Sequence, residues 1–212
     1  MEQLQSQPTT LRPSSHLPWL RPLLLLVLAG ILLALLWNLL PFNRGRADVT
    51  FARDMSAHHA QAVDMALILR DRVEDEQLRL FLLDMALTQQ TQIGQMQGWL
   101  AAWNVPLAGP EPIMGGQGEA MGMASQEQVN SLRHLPVDEA EVLFLQLMIR
   151  HHQGGVLMAE DILEQNPRPQ VARLAESIIA GQQSEMEYMT SLLQERGAEP
   201  LTPLAPMEHG SH

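Results

Sequence analysis

Two stretches of the chain carry the same set of soft donors. Phe51, Met55, His58, His59, Met65 and Ala66 recur as Phe144, Met148, His151, His152, Met158 and Ala159, each pair separated by 93 positions. The register continues downstream, relating Gln89 to Gln182, Gln90 to Gln183, Met96 to Met189 and Leu100 to Leu193. A constant offset of this kind marks a duplicated unit. Thioether and imidazole groups suit Cu(I) and Ag(I), whereas carboxylates suit iron, manganese and calcium. The motif therefore points to soft-metal ligation by Met55, His58, His59 and Met65 in one copy and by Met148, His151, His152 and Met158 in the other. The competing reading is four core histidines satisfied by Gln89, Gln90, Gln182, Gln183 or Glu185 from neighbouring helices, since a buried polar ring costs free energy without a partner.

These donors reach one another only if a helix presents them on one face. With Met55 at zero and 100° per residue, His58 falls at about −60°, His59 at about +40° and Met65 at about −80°, while Asp64 points away at about 180°. Ala62 and its equivalent Gly155 lie on the same stripe, and small residues there would let the two motif helices approach closely. Met96 and Met189 sit at helical spacing from Gln89 and Gln182 and are candidate auxiliary ligands or core filler. Met121 and Met123, in a Gly- and Pro-rich stretch that also carries Met114, are further soft-metal candidates, because an exposed flexible loop gains little from Met. Met85 and Met186 have no equivalents across the repeat and read as packing.

Helical periodicity extends from Asp48 to about Arg72 and from Asp75 to about Trp103, ending at Val105-Pro106. Ser125 with Gln128 has the form of a capping box opening a short helix, and Asp138 with Glu141 repeats it for the next long one. That helix stops near Pro167 and Pro169, and the last stops at Gly197. The expectation is an all-α four-helix bundle of two duplicated hairpins, 48–104 and 138–197, joined by a linker with a short helix over 105–137. Residues 201–212, with His209 and His212, read as a loose tail.

Ahead of the bundle, residues 1–18 are polar and read as disordered. Leu23 to Leu40 is an apolar run broken only by Asn38, with Trp19 and Trp37 near its ends. Such a run is about 27 Å long as a helix, enough to cross a bilayer, and residues 19–41 are expected to form an uncleaved transmembrane anchor, the rival reading being a cleaved signal segment, against which stand the length of the run and the lack of an A-x-A site after it. Arg12 and Arg21 on one side balance Arg44 and Arg46 on the other, so charge does not orient the segment. The short tail is the easier part to leave inside.

Composition narrows the function. Aromatic residues are 4% of the chain while Met reaches 13, which favours helical packing over sheets. From residue 47 onward 23 acidic residues face 9 arginines, so nucleic acid is excluded as a partner and a cation is favoured. With no Cys, disulfides and thiolate chemistry are excluded. No phosphate-binding Gly-rich loop, G-x-S-x-G elbow or H-E-x-x-H is present, and no nucleophile stands in a recognisable relation to His58 or His151. A ferritin-like di-iron centre needs Glu three residues before His, and both copies have Met there, at Met55 and Met148.

FARDMSAHHAQAVDMA, ALTQQTQIGQMQGWL, MGMAS, FLQLMIRHHQGGVLMAEDIL and IIAGQQSEMEYM together resemble the bacterial family known as domain of unknown function 305, over about residues 48–195. The resemblance implies a ferritin-like, duplicated four-helix domain, secreted or membrane-anchored, with some relatives linked to copper. It places the family's motif on the eight Met and His residues named above and its Gln-x-x-Glu element on Gln182 and Glu185. In the first half Gln92 stands in place of the acid. The expectation is a bacterial single-pass membrane protein with an extracytoplasmic bundle that sequesters or carries Cu(I) or Ag(I), with Gln89, Gln182 and Glu185 supporting the ligands. The alternatives are a ferritin-like metal-dependent oxidoreductase and a structural or partner-binding bundle without metal.

Overall fold

The computed structural model describes residues 20–39, 41–110 and 112–204. The expected tail 1–18, Trp19 and the C-terminal residues Met207, His209 and His212 lie outside them. The chain divides into two units, residues 1–41 and 42–212.

The first unit contains α1, Leu20–Leu39. Its apolar side chains from Leu23 to Leu32, including Val27 and Ile31, are exposed. Among the described residues, no helix is long and apolar enough to cross a membrane. The expected anchor over 19–41 is therefore not shown as a membrane span, and residues 19 and 40 of it fall outside the described residues.

The second unit is all-helical. Four long helices, α2 (Pro41–Arg70), α3 (Glu76–Ala102), α5 (Val137–Glu164) and α6 (Pro169–Glu195), enclose the core, and the shorter α4 (Gln126–His134) lies in the connection between the hairpins. Asp75 caps α3 by accepting from the Gln77 and Leu78 amides at 2.8 and 3.2 Å, satisfying donors that a helix start leaves unpaired. The Ser125–Gln128 capping box is present in both directions. The Asp138–Glu141 box is not: α5 starts at Val137 after Pro136, with no side-chain cap. Glu141 is drawn instead to Arg196, which donates to its Oε2 from Nε and Nη2 at 2.8 and 2.6 Å. The periodic segment expected from Asp48 also starts earlier, at Pro41. Asn104 and Gly197, 93 positions apart, end α3 and α6 with φ of 57° and 67°, the left-handed conformation that closes a helix.

The core has two compartments. One gathers Phe51, Met55, Met96, Leu100, Met158, Ile162, Val171 and Ala175, from the start of α2, the end of α3, the end of α5 and the start of α6. The other gathers Met65, Leu69, Leu78, Leu82, Phe144, Met148, Met189 and Leu193, from the opposite ends of the same helices. Each hairpin is therefore antiparallel, and the motif helices α2 and α5 run antiparallel to one another. Burying a side chain of this size stabilises the fold by about 1.5 to 3 kcal/mol, so the compartments hold the bundle and fix what lies between them.

Candidate metal centre

What lies between them is a layer of histidines. His58 and His59 follow Met55 of one compartment and precede Met65 of the other along α2, and His151 and His152 lie likewise between Met148 and Met158 on α5. All four rings are fully buried. The His58 and His151 rings stack across the helix interface with centroids 3.7 Å apart and planes 29° from parallel. Neighbouring rings within each motif are 6.4 Å apart for His58–His59 and 6.3 Å for His151–His152.

Three rings have one partner each. His58 Nε2 donates to the Met121 carbonyl at 3.0 Å. His59 Nε2 meets the Gln92 side-chain amide, and His152 Nε2 donates to Glu185 Oε2, both at 2.6 Å. Gln92 was legible only as a replaced acid; the spacing of 33 residues from His to partner in both halves is the signal that marks it as a direct contact. Nδ1 of His58, His59 and His152, both nitrogens of His151, and both side-chain amide atoms of Gln89 and Gln182 have no hydrogen-bond partner. Gln89 and Gln182 are thus buried but do not satisfy the rings.

Burial keeps the rings of His58, His59 and His151 neutral. Desolvation pushes His58 down to about 4, only partly offset by the bond to Met121, and pushes His59 down to about 3. It also lowers His151 well below the ordinary imidazole value, with the neighbouring rings adding to the effect and the backbone of His58 opposing it. Neutral imidazoles with free lone pairs are the form that binds metal.

The thioethers bracket the layer. Met55, Met96 and Met158 lie in one compartment with Met114, and Met121 and Met123 pack against them. Met65, Met148 and Met189 lie in the other with Met85, and Met186 packs there. The two Met of each motif therefore fall in different compartments, each sharing its compartment with a Met of the other motif. Among the described residues, no three His, Asp or Glu side chains are grouped to hold an ion.

The Met121–Met123 segment is not a free loop. Gln61 donates to the Ala124 carbonyl at 2.9 Å and accepts from the Ala124 amide at 2.7 Å, Asp54 accepts from the Met114 amide at 3.0 Å, and Met114 is itself buried with φ of 53°. Gly154 makes room for this strap, since a Cβ there would sit 1.7 Å from the Met121 carbonyl oxygen. Gly155, expected to ease contact between the motif helices, instead accommodates Gln182, whose Oε1 would lie 2.3 Å from a Cβ.

No curated protein matches the chain. Among solved structures it is similar to a DUF305 protein from Streptomyces coelicolor described as secreted, at 44% identity over 74% of this chain and 97% of that one, with a TM-score of 0.69. It is also similar to a DUF305 fragment from Deinococcus radiodurans, at 40% identity over 70% and 96% of the two chains, TM-score 0.65. A third similar structure is CopM in its Cu(II)-bound form, at 28% identity over 70% and 96%, TM-score 0.60; CopM has also been solved with Cu(I) and with silver. The family model for the domain of unknown function DUF305 matches residues 48–193. With that match spanning both hairpins, the chain belongs to the DUF305 family.

Proposed function

We propose that the bundle binds Cu(I) or Ag(I) through imidazole and thioether donors and acts as a sink or carrier for the ion. The observation that carries this reading is the fully buried layer of four histidines with five ring nitrogens unpartnered. Leaving a buried polar atom unpaired costs about 1 to 3 kcal/mol, against a net stability of about 5 to 15 kcal/mol for a whole domain. A cation that takes up these lone pairs offsets that cost, which a purely structural role for the histidines does not. The free Nδ1 atoms of His58, His59 and His152 and the unprotonated nitrogen of His151 would supply the imidazole ligands. Met55 with Met158, and Met65 with Met148, in the compartments on either side, would supply the thioethers, and Met96, Met189, Met121 and Met123 are auxiliary candidates. The similarity to CopM, solved with copper and silver, supports the choice of ion, and thioether softness favours the monovalent state.

The finer part of the proposal is location. The exposed leucines of α1 suit lipid better than water, and a similar protein is described as secreted; we place the bundle outside the cytoplasm, held by the apolar segment ahead of it. Competitive titration of the full chain in detergent against a Cu(I) chelator tests the binding. Equal copper retention by the wild type and by a variant with His58, His59, His151 and His152 all changed to Ala would end the proposal.

A further inference from the structure

The two halves of the histidine layer share a geometry but not a chemistry. His59 and His152 are equivalent by the repeat and make equivalent 2.6 Å contacts, yet one meets the amide of Gln92 and the other the carboxylate of Glu185. An amide can turn to present either its oxygen or its NH2 group, so Gln92 is compatible with either tautomer of a neutral His59. A carboxylate only accepts, so a neutral His152 must carry its proton on Nε2, leaving Nδ1 as a bare lone pair. That Nδ1 is buried and has no other partner.

We infer that Glu185 is a positioning residue for the cation: its carboxylate fixes Nδ1 of His152 as a ready donor. The inference rests on the proposed soft-metal reading and adds to it the residue that pre-sets one of the ligands. His58 is the other pre-set ring, because the Met121 carbonyl to which it donates is likewise acceptor-only. One ready imidazole therefore comes from each motif, and they are not the pair that the repeat makes equivalent. Hydrogen-bonded carboxylates of this kind raise the basicity of a ligating imidazole and hold its orientation, and their loss weakens metal affinity about 10- to 100-fold.

Two measurements test this on the full chain in detergent. Long-range proton–nitrogen correlation spectra of protein labelled with 15N-histidine read the tautomers without metal; wild type should show His152 with its proton on Nε2 and E185Q a mixture. Chelator competition with Ag(I) should show E185Q weakened about 10- to 100-fold, and the swapped variant E185Q/Q92E restored to within a few-fold, with the single tautomer moved to His59. Undiminished Ag(I) affinity in E185Q, or a wild-type His152 protonated on Nδ1, overturns the inference. Should E185Q not fold, Q92E alone decides, because His59 must then become a single Nε2–H tautomer and a persisting mixture refutes the idea. Wild type that binds Ag(I) no better than the four-His-to-Ala variant sinks the proposed function itself, whereas strong wild-type binding that ignores Glu185 sinks this inference alone.

Discussion

Gly154 offers a test in which the sign of the effect decides. It lies in the interior of α5, where replacing Gly by Ala ordinarily stabilises a helix by about 1 kcal/mol. Here an added Cβ would fall 1.7 Å from the Met121 carbonyl oxygen, 2.3 Å from its carbon and 3.1 Å from the Gly122 amide nitrogen. Carbon and oxygen in ordinary contact stand about 3.3 Å apart, so the strap must withdraw by roughly 1.5 Å. That movement takes the Met121 carbonyl out of reach of His58 Nε2, now 3.0 Å away, and leaves a sixth ring nitrogen unpartnered. The lost bond costs about 1 to 3 kcal/mol, and the packing of Met121 and Met123 against the compartment of Met55 and Met158 adds about 1 kcal/mol. After the helix-propensity gain, Gly154→Ala should destabilise by about 1 to 3 kcal/mol, lowering Tm by roughly 3 to 10 °C in a chain of this size.

Thermal unfolding followed by circular dichroism measures the change, with Gly94→Ala, Gly98→Ala and Gly181→Ala as controls. Those glycines are helical and exposed, with nothing within 4 Å of the point a Cβ would occupy, and their substitution should be neutral or stabilising by up to about 1 kcal/mol. If Gly154→Ala rises in Tm together with the controls, the strap does not lie against α5 and the account of His58 fails with it.

Other expectations follow from the same layer. Because His58 and His59 are depressed to about 4 and about 3 in the folded state from 6.5, the unfolded chain binds more protons than the folded one below about pH 6.5. Stability is therefore full above that value and falls as pH drops toward 4, at up to about 1.4 kcal/mol per pH unit for each such ring; a urea midpoint that stays constant from pH 7 to pH 4.5 would contradict this. Ag(I) at a hundred times its Kd should stabilise the wild type by about 2.7 kcal/mol and leave the four-His-to-Ala variant unmoved, read as a Tm shift at fixed protein concentration. Arg196→Ala removes both donors to Glu141 and should cost about 1 to 2 kcal/mol, most of it absent when Glu141 is already Ala. Phe144→Ala empties a fully buried position and should cost about 3 to 5 kcal/mol; a loss under 1 kcal/mol in chemical denaturation would mean that compartment is not packed as described.

Much of the bundle was legible because its signals are local. Asp75, the Ser125–Gln128 box and Gly197 act within a few residues of themselves, and the 3.6-residue period of the apolar positions needs no knowledge of partners. The misread cap at Asp138 shows the limit: Glu141 has a local use available, but Arg196, 55 residues away, offers its carboxylate two charge-assisted bonds that a local pattern does not contain. The strap failed for the same reason. Gly, Pro and Met in residues 106–124 read as a loop, and only the distant groups Asp54, His58 and Gln61 convert it into a docked segment.

The division of the methionines was available from the sequence and depends on one further step. If two copies of Met-x-x-His-His with a second Met beyond lie on antiparallel helices, the first Met of each must meet the second Met of the other, because reversal of direction exchanges the flanks while leaving the histidines in the middle. Met55 with Met158, and Met148 with Met65, are the pairs this requires, and they are the ones the two compartments contain. The repeat thus sets a symmetric frame of donors, and the departures from symmetry are set by what is laid over it. Gln61 and Gly154 are equivalent positions 93 apart, yet one grips the strap through Ala124 and the other is small so that the strap can pass. The strap in turn satisfies His58 and leaves its equivalent, His151, with neither nitrogen paired. A duplicated fold is in this way given a histidine layer with unequal halves without moving any helix out of register.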